Sequence, residues 1–416
     1  MQILGFFLYT IFLKLYPAGL HLASLWNDKA KLWINGRKKF PEINNYKIAK
    51  KSIWMHCASL GEFEQGRPVL EKLKVLYPEH LIVLTFFSPS GFEIEKNYKG
   101  ADHVFYIPID SSTNAKRFID LINPELVVWV KYEFWYHYLK ELNKRNITVL
   151  LISGAFRSTQ PFFKWYGNFW RKILSSFTFF FLQNGASEKL LNKINVKNTT
   201  ISGDTRFDRV ISIAENFTDL SLIKSYCNGA KVIVAGSTWE DDEAGLVHYT
   251  QTNKHIKFII APHEIDKGNL KVVKKTFTSS IYYSELAETT KANSNILIMD
   301  NIGMLSGLYN YADITYVGGG FGDDGLHNIL EAAVYGKPVI FGPYIERNLE
   351  AQELIDACGG FIIENALQLE KTLNYLLRNP VELIKAGKAA KEYVYKNAGA
   401  TEKIINYIQE NRLLTN

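Results

Sequence analysis

From Ser52 onward short apolar runs alternate with amphipathic stretches: SIWMHCAS, then GRPVLEKLKVLYP, then LIVLTFF, then the turn SPSG and a further helical stretch. Apolar runs bounded by turn residues suit buried strands, and the helix-period stretches between them suit crossovers joining parallel strands. The pattern continues through HVFYIPID, PELVVWV, ITVLLIS and TFFFLQN. After a polar segment near Glu215 to Asn228 a second series begins: KVIVAGST, IKFIIAP, NILIMD, ITYVGGG, KPVIFGP and GGFIIE. Two such series predict an α/β chain with two doubly wound, Rossmann-like sheets, the first over 27–212 and the second over 213–416, preceded by a distinct segment over 1–26. Helices over Leu367–Leu377 and Pro380–Glu410 are expected to close the second domain. Ligands of such sheets bind beyond the carboxyl ends of the strands, here expected in a cleft between the domains.

The opening segment, MQILGFFLYTIFLKLYPAGLHLASLW, is apolar but interrupted by Lys14 and Pro17. Its run before Lys14 falls short of the ~20 residues a helix needs to cross a bilayer, and it lacks the charged leader and cleavage site of a secretory signal. It is expected to lie in or dip into a membrane interface. Lys29, Lys31, Arg37, Lys38 and Lys39, with Trp26 and Trp33 among them, would then sit at headgroup level. The alternative is a first helix buried in the domain.

With 416 residues and 47% hydrophobic content, the chain has apolar material for two cores of ordinary size. Three widely spaced cysteines, Cys57, Cys227 and Cys358, support neither a disulfide framework nor a zinc site. The formal charge of +6 suits anionic substrates or a phospholipid surface, without the clustered basic stripe of a nucleic-acid binder. Aromatic residues crowd the first half, around Trp129 to Tyr138 and Phe162 to Phe181, and part of that surface is expected to meet lipid.

Three blocks could carry chemistry. His56-Cys57-Ala58-Ser59-Leu60-Gly61-Glu62 follows a strand and precedes a helix. A carboxylate there is placed for general-base work, or merely complements a helix dipole; both readings stand on the block alone. In Val234-Ala235-Gly236-Ser237-Thr238-Trp239-Glu240-Asp241-Asp242-Glu243 a strand ends in small and hydroxyl residues before an acidic helical turn, a setting for a phosphate at backbone amides. Its four consecutive acids point in different directions on a helix and cannot all reach one ion, so no metal is expected. The third block, Tyr316 to Phe321 and Gly325 to Ala333, puts glycines after a strand. A helix is expected to open over His327 to Glu331, its start taking a phosphate and Glu331 accepting from ribose hydroxyls.

Taken in order, HCASLGE, GDTRFD, GSTWEDDE, APHE, DNIGML, VGGGF and HNILEAAVYGKPVIFGP, with the anchor-like start, resemble the signature blocks of the bacterial Kdo transferases, which handle 3-deoxy-manno-octulosonic acid (Kdo). The resemblance runs from the anchor to about Gly360. It implies a GT-B fold, a membrane-associated first segment at the cytoplasmic face of the inner membrane, CMP-Kdo as donor and a lipid A precursor (lipid IVA) as acceptor. The first domain would then bind the acceptor and the second the CMP-sugar. Glu62 matches the family's catalytic base; Glu133 in VKYEFW and Arg206 in GDTRFD match its transition-state stabilisers. Pro262 and His263, then Ile302, Gly303 and Met304, then Asn328, Ile329, Leu330 and Glu331 match CMP-contacting segments, with Ser237 and His327 expected near the phosphate. Two departures stand out. The family commonly has Pro-Arg-His where this chain has Pro262-His263-Glu264, and Thr-Glu-Leu-Trp-Pro where it has Tyr132 and Tyr136 in place of threonine and proline.

The resemblance implies an inverting transfer, and no cofactor, essential metal, nucleic acid or obligate protein partner is expected. Two other classes remain open at this point. One is another GT-B nucleotide-sugar transferase or epimerase; the other is a catalytically silent peripheral membrane protein.

Overall fold

The computed structural model describes residues 2–43, 50–131, 133–287, 294–322, 325–346 and 348–415. Two compact units result: Met1–Arg209 with Ala398–Asn416, and Val210–Asn397.

In the first unit the strands are β1 (Ser52–Cys57), β2 (Leu81–Phe86), β3 (His103–Tyr106), β4 (Pro124–Val130), β5 (Thr148–Gly154), β6 (Phe179–Leu182) and β7 (Thr199–Ile201). All pair in parallel in the order β3-β2-β1-β4-β5-β6-β7. The two-residue period of a strand sorts β1 onto two faces. Ile53, Met55 and Cys57 pack with Phe63 and Leu70 of the helix Leu60–Leu76, while Trp54 packs with Phe118, Trp129 and Tyr138 on the other face. Both faces are covered, which is why these strands read as continuous apolar runs.

The second unit repeats the plan with β8 (Val232–Thr238), β9 (Lys257–Pro262), β10 (Ile281–Tyr282), β11 (Ile296–Ile298), β12 (Ile314–Val317), β13 (Val339–Phe341) and β14 (Gly360–Ile362). Its order is β10-β11-β9-β8-β12-β13-β14. In each sheet the chain first builds outward on one side and then returns to build on the other. The switch points lie between β1 and β4 and between β8 and β12, where ligands of open α/β sheets bind.

Three expectations need correction. Residues 398–416 belong with the first unit, not the second. The helix Ala400–Glu410 buries Ile404, Ile405 and Ile408 against Phe63, Leu70 and Leu73, and Asp208 accepts from the amides of Gly399 and Thr401 at 2.6 and 2.7 Å. Second, the opening segment is one unbroken helix, Gln2–Ala23, through both Lys14 and Pro17; proline removes one intrahelical donor while its fixed φ still fits a helix. That helix is long and apolar enough by length and composition to cross a membrane. It is not the buried first helix of the alternative reading, since Ile3, Leu4, Phe7, Leu8, Leu15 and Leu22 are exposed. Third, Arg37 and Trp33 do not stand out toward headgroups. Trp33 is buried, and the Arg37 guanidinium lies 4.0 Å from the Trp33 ring centroid and donates to the carbonyls of Phe87 and Ile107. Trp26, Lys29, Lys31, Lys38 and Lys39 are exposed.

Candidate active site

At the first switch point β1 runs into the helix Leu60–Leu76, whose first turn carries Glu62. The carboxylate is almost wholly buried and its Oε2 accepts from the Ala58 amide. The bond holds the side chain back over the strand-to-helix turn. Glu133 follows β4, the neighbour of β1. Its Oε2 accepts from the Trp135 indole at 3.1 Å and lies 3.0 Å from His56 Nε2, while its carbonyl accepts from the Trp129 indole. Tyr132, beside it, lies outside the described residues. Arg206 sits in the helix Thr205–Glu215, where Asp204 accepts from its Nε at 2.9 Å and from its Nη2 at 2.8 Å. That helix is tied to the Glu62 turn: the Thr205 hydroxyl donates to the Gln65 carbonyl and Arg209 Nε donates to Glu64 at 2.9 Å. Thus Glu62 and Glu133 stand at the ends of adjacent strands, with Arg206 on a helix locked to the first. Burial, and after it Glu62, Glu133 and Glu64, raises the Cys57 thiol well above its ordinary range, so Cys57 packs and does not act as a thiolate.

The Glu133 loop has a second support that sequence reasoning missed. Asp110 accepts from the amides of His137 and Tyr138 at 3.0 and 3.1 Å, satisfying donors that the start of the helix Tyr136–Lys144 leaves over. Tyr9, on the N-terminal helix, donates to Asp110 at 2.5 Å and accepts from the Tyr136 amide at 3.1 Å. Tyr136 stands where the resembling family has proline, and that N–H is one proline lacks. Beside it Tyr9, Phe12, Phe134, Trp135, Phe162 and Trp170 line a cavity of about 250 Å³ with Glu133 in its wall. The only signal for this arrangement was the crowding of aromatic residues in the first half; the partners are 101 positions apart.

At the second switch point β8 and β12 end together, with Gly236 opposite Val317. Asp242 fastens them: it accepts from the Tyr316 hydroxyl at 2.6 Å, the Gly319 amide at 3.0 Å and the Trp239 amide at 2.9 Å. Glu243 accepts from the Thr238 hydroxyl at 2.9 Å. Burial, then the nearby Asp242 and Glu240, pushes Glu243 up to about 7 against the Thr238 bond. Two of the four acids are therefore buried ties, beyond complementing the helix Glu240–Thr252. The glycines serve close approach: a Cβ on Gly318 would lie 2.3 Å from the Ser237 carbonyl, and one on Gly320 2.6 Å from the Gly342 amide. Ser237 itself holds a positive φ of 53°.

Pro262 ends β9, and the His263 amide donates to the Thr238 carbonyl at 2.9 Å. The His263 ring lies between Trp239 and His327, with centroids 4.7 and 4.4 Å away, and the Trp239 indole donates to His327 Nε2 at 3.1 Å. An indole N–H can only donate, so in the neutral His327 ring the proton sits on Nδ1. After β11, Ile302 is exposed, Gly303 has φ 91°, and Met304 precedes the helix Leu305–Leu308, which packs close to Gly236. The helix expected over His327 to Glu331 is only Leu330–Ala333. Asn328 competes with it: its carbonyl oxygen accepts from the Leu330 amide and its amide donates to Glu331 at 3.0 Å. Ile329 and Leu330 are buried and pack the loop rather than line it. Burial, then Glu331, raises the buried Tyr309 hydroxyl, which sets Glu331 near Tyr309, the residue that crowds Gly236. Among the described residues no group of three or more His, Cys, Asp or Glu could hold a metal ion.

Comparison with known proteins follows the same lines. A family model described as 3-deoxy-D-manno-octulosonic-acid transferase (kdotransferase) matches residues 34–209. The 3-deoxy-D-manno-octulosonic acid transferase of Aquifex aeolicus is 28% identical, over 82% of this chain and 90% of that protein. Its counterpart from Chlamydophila psittaci is 27% identical, over 79% and 78%. The chain is thus similar to the Kdo transferases, through the family model in its first unit and through these relatives over most of its length. It is accordingly a glycosyltransferase of two parallel-sheet domains in the GT-B manner. A bifunctional glycosyltransferase/methyltransferase of Fusobacterium nucleatum is 25% identical over 93% of the chain, which spans 59% of that longer protein. Among solved structures, a glycosyltransferase from Rickettsia africae matches with a TM-score of 0.58 at 19% identity, over 88% of this chain and 100% of that one. The UDP-GlcNAc 2-epimerase of Neisseria meningitidis bound to UDP-GlcNAc also gives 0.58, at 15% identity over 86% and 100%. These likenesses establish the fold and do not separate transferase from epimerase.

Proposed function

We propose that this chain is an inverting transferase that moves Kdo from CMP-Kdo to a lipid A precursor at the cytoplasmic face of the inner membrane. One observation carries the reading. A carboxylate at the switch point of the first sheet, Glu133, forms part of the wall of an aromatic cavity that an apolar, largely exposed helix helps to line. A reaction on a lipid needs its polar centre next to apolar surface in this way, which an enzyme acting on a free nucleotide sugar does not. Glu62 removes the proton from a glucosamine hydroxyl as that oxygen attacks the anomeric carbon of Kdo, and CMP departs from the opposite face. A transition state of oxocarbenium character gathers positive charge on the sugar. The sugar's own carboxylate and Glu133 face that charge, while Arg206, oriented by Asp204, holds an anionic group of donor or acceptor.

In the second unit the CMP phosphate is assigned to the backbone around Ser237 and Gly318 to Gly320 and to the His263 and His327 rings, the former standing where the family commonly has arginine. Pro262 and Ile302 to Met304 are assigned to the nucleotide, and Glu331, held by Asn328, to its ribose. Ile329 and Leu330 shape that loop. No step is given to a metal ion.

The test is turnover of purified protein in detergent with CMP-Kdo, generated in situ, and a tetraacylated lipid A precursor, read by mass spectrometry of the lipid. Wild type should add Kdo mass, and Glu62→Gln should lose this by at least about a hundredfold, the usual scale of a general base. Equal activity of the variant removes Glu62 as the base. A folded wild type that binds CMP but adds no Kdo overturns donor or acceptor.

A further inference from the structure

The first sheet holds a buried polar chain that the mechanism above leaves unused. Trp54 Nε1 donates to Thr85 Oγ1 at 2.8 Å; Thr85 Oγ1 lies 2.9 Å from His56 Nδ1; His56 Nε2 lies 3.0 Å from Glu133 Oε2. Trp54, His56 and Thr85 are wholly buried, and the indole of Trp129 lies against the imidazole with centroids 4.4 Å apart. Resting on the Kdo-transfer reading, we propose that Thr85 fixes the tautomer of His56 with its proton on Nε2. His56 then acts as a positioning residue that holds the Glu133 side chain in one orientation toward the transfer centre.

Donor and acceptor counting decides the tautomer. The indole of Trp54 can only donate, so Thr85 Oγ1 accepts there. The single hydroxyl proton then goes either to His56 Nδ1 at 2.9 Å or to the Met55 carbonyl at 3.4 Å. The shorter contact leaves Nδ1 bare and the ring proton on Nε2, aimed at the carboxylate. The opposite tautomer would set a nitrogen lone pair against a carboxylate oxygen and send the threonine proton along the longer path. A doubly protonated ring would ask Thr85 to accept two N–H bonds and likewise turn its proton toward Met55. Each is worse by the same geometry, and His56 and Thr85 are wholly buried, away from water that could relieve them.

The consequence falls on Glu133. Two N–H donors, His56 and Trp135, converge on Oε2 while Trp129 holds the residue's own carbonyl. A carboxylate held by two donors cannot swing, as a group meant to meet a developing cation must not. β1 supplies this through its alternation: Cys57 turns to the Glu62 helix, His56 to Glu133.

The test uses the full chain in detergent with CMP-Kdo and the tetraacylated acceptor. Thr85→Val keeps the shape and removes the hydroxyl; Thr85→Ser keeps the hydroxyl. The valine variant should lose kcat by about tenfold, the scale of one buried hydrogen bond, with KM for both substrates within about twofold, and serine should restore most of it. Imidazole ¹⁵N spectra, with His56→Gln to assign the signal, should show His56 protonated on Nε2 in wild type and a shifted Nδ1 in the valine variant. Protonation on Nδ1 in wild type, an unchanged kcat in the valine variant, or a loss confined to KM each overturns the proposal. Should the valine variant not fold, Trp54→Phe removes the donor to Thr85, and the same kcat-only loss, smaller in size, is expected. A wild type that transfers no Kdo sinks the functional reading instead, and the spectrum still decides the tautomer.

Discussion

Removing one oxygen, in Tyr9→Phe, tests whether the apolar N-terminal helix is part of the machinery or only a tether. The Tyr9 ring is 4% exposed and packs edge-on against Tyr136 and Trp170, contacts a phenylalanine keeps. Its hydroxyl donates to Asp110 and accepts from the Tyr136 amide, so the substitution removes a bond to a carboxylate and leaves a buried amide without its acceptor. A bond to a charged group is worth about 1.5–3 kcal/mol and the stranded amide about 1 more, giving a loss of about 2.5–4 kcal/mol. For a unit of this size that corresponds to a fall of roughly 5–16 °C in midpoint temperature. Thermal unfolding in detergent reads the first figure, and amide hydrogen exchange at Tyr136 to Tyr138 reads its location. Protection there should drop while that of β1 and β4 holds. Unfolding within about 1 °C of wild type, with unchanged exchange, would refute the reasoning, because the hydroxyl would then be doing nothing that water cannot do.

Other outcomes follow from single contacts. Burial raises Glu243 from an ordinary 4.5 to about 7, so the folded chain binds a proton that the unfolded chain releases near pH 4.5. The stability this gives is complete below that pH and is lost as pH rises through about 7. The loss is at most about 3 kcal/mol, and Glu243→Gln should flatten it, so that urea unfolding from pH 5 to 8 favours the variant increasingly toward pH 8; parallel curves would refute it. Asp208→Ala strips the acceptor from the Gly399 and Thr401 amides and should cost about 1–2 kcal/mol, visible as faster proteolysis near residue 398 on limited digestion.

The strands were legible because a parallel strand covered on both faces is written as an unbroken apolar run, and LIVLTFF or PELVVWV admits few other readings. Two of the four edge strands were not: β7 and β10 are three and two residues long, too short to carry a period. Residues 400–410 show a helical apolar stripe, but a stripe says only that some core receives it. Which core was decided by Asp208, some 190 positions earlier. In the same way Glu62 could be singled out from its block and Glu133 from the resemblance, whereas His56, Thr85, Asp110 and Tyr9 matter through contacts 27 to 127 positions away along the chain. The helix expected at His327 failed for a local reason that was present in the sequence. Asn328 offers its own side chain to the Leu330 amide, and such residues commonly stop a turn from propagating backward.

The topology explains why the blocks are so far apart and still act together. In a doubly wound sheet the strands flanking the switch point are never consecutive, so the β1 and β4 ends, or the β8 and β12 ends, must be distant in sequence and adjacent in space. A site at such a point inherits rigid walls from both strands but needs its loops held from outside the sheet. Here the Glu133 loop is held on one side by His56, from within β1, and on the other by Tyr9, from the apolar helix. A helix crossing a bilayer along its whole length would carry Tyr9 away from Asp110. With Tyr9 docked and Ile3, Phe7, Leu15 and Leu22 exposed, the same helix can offer its outer face to lipid while its inner face supports the loop.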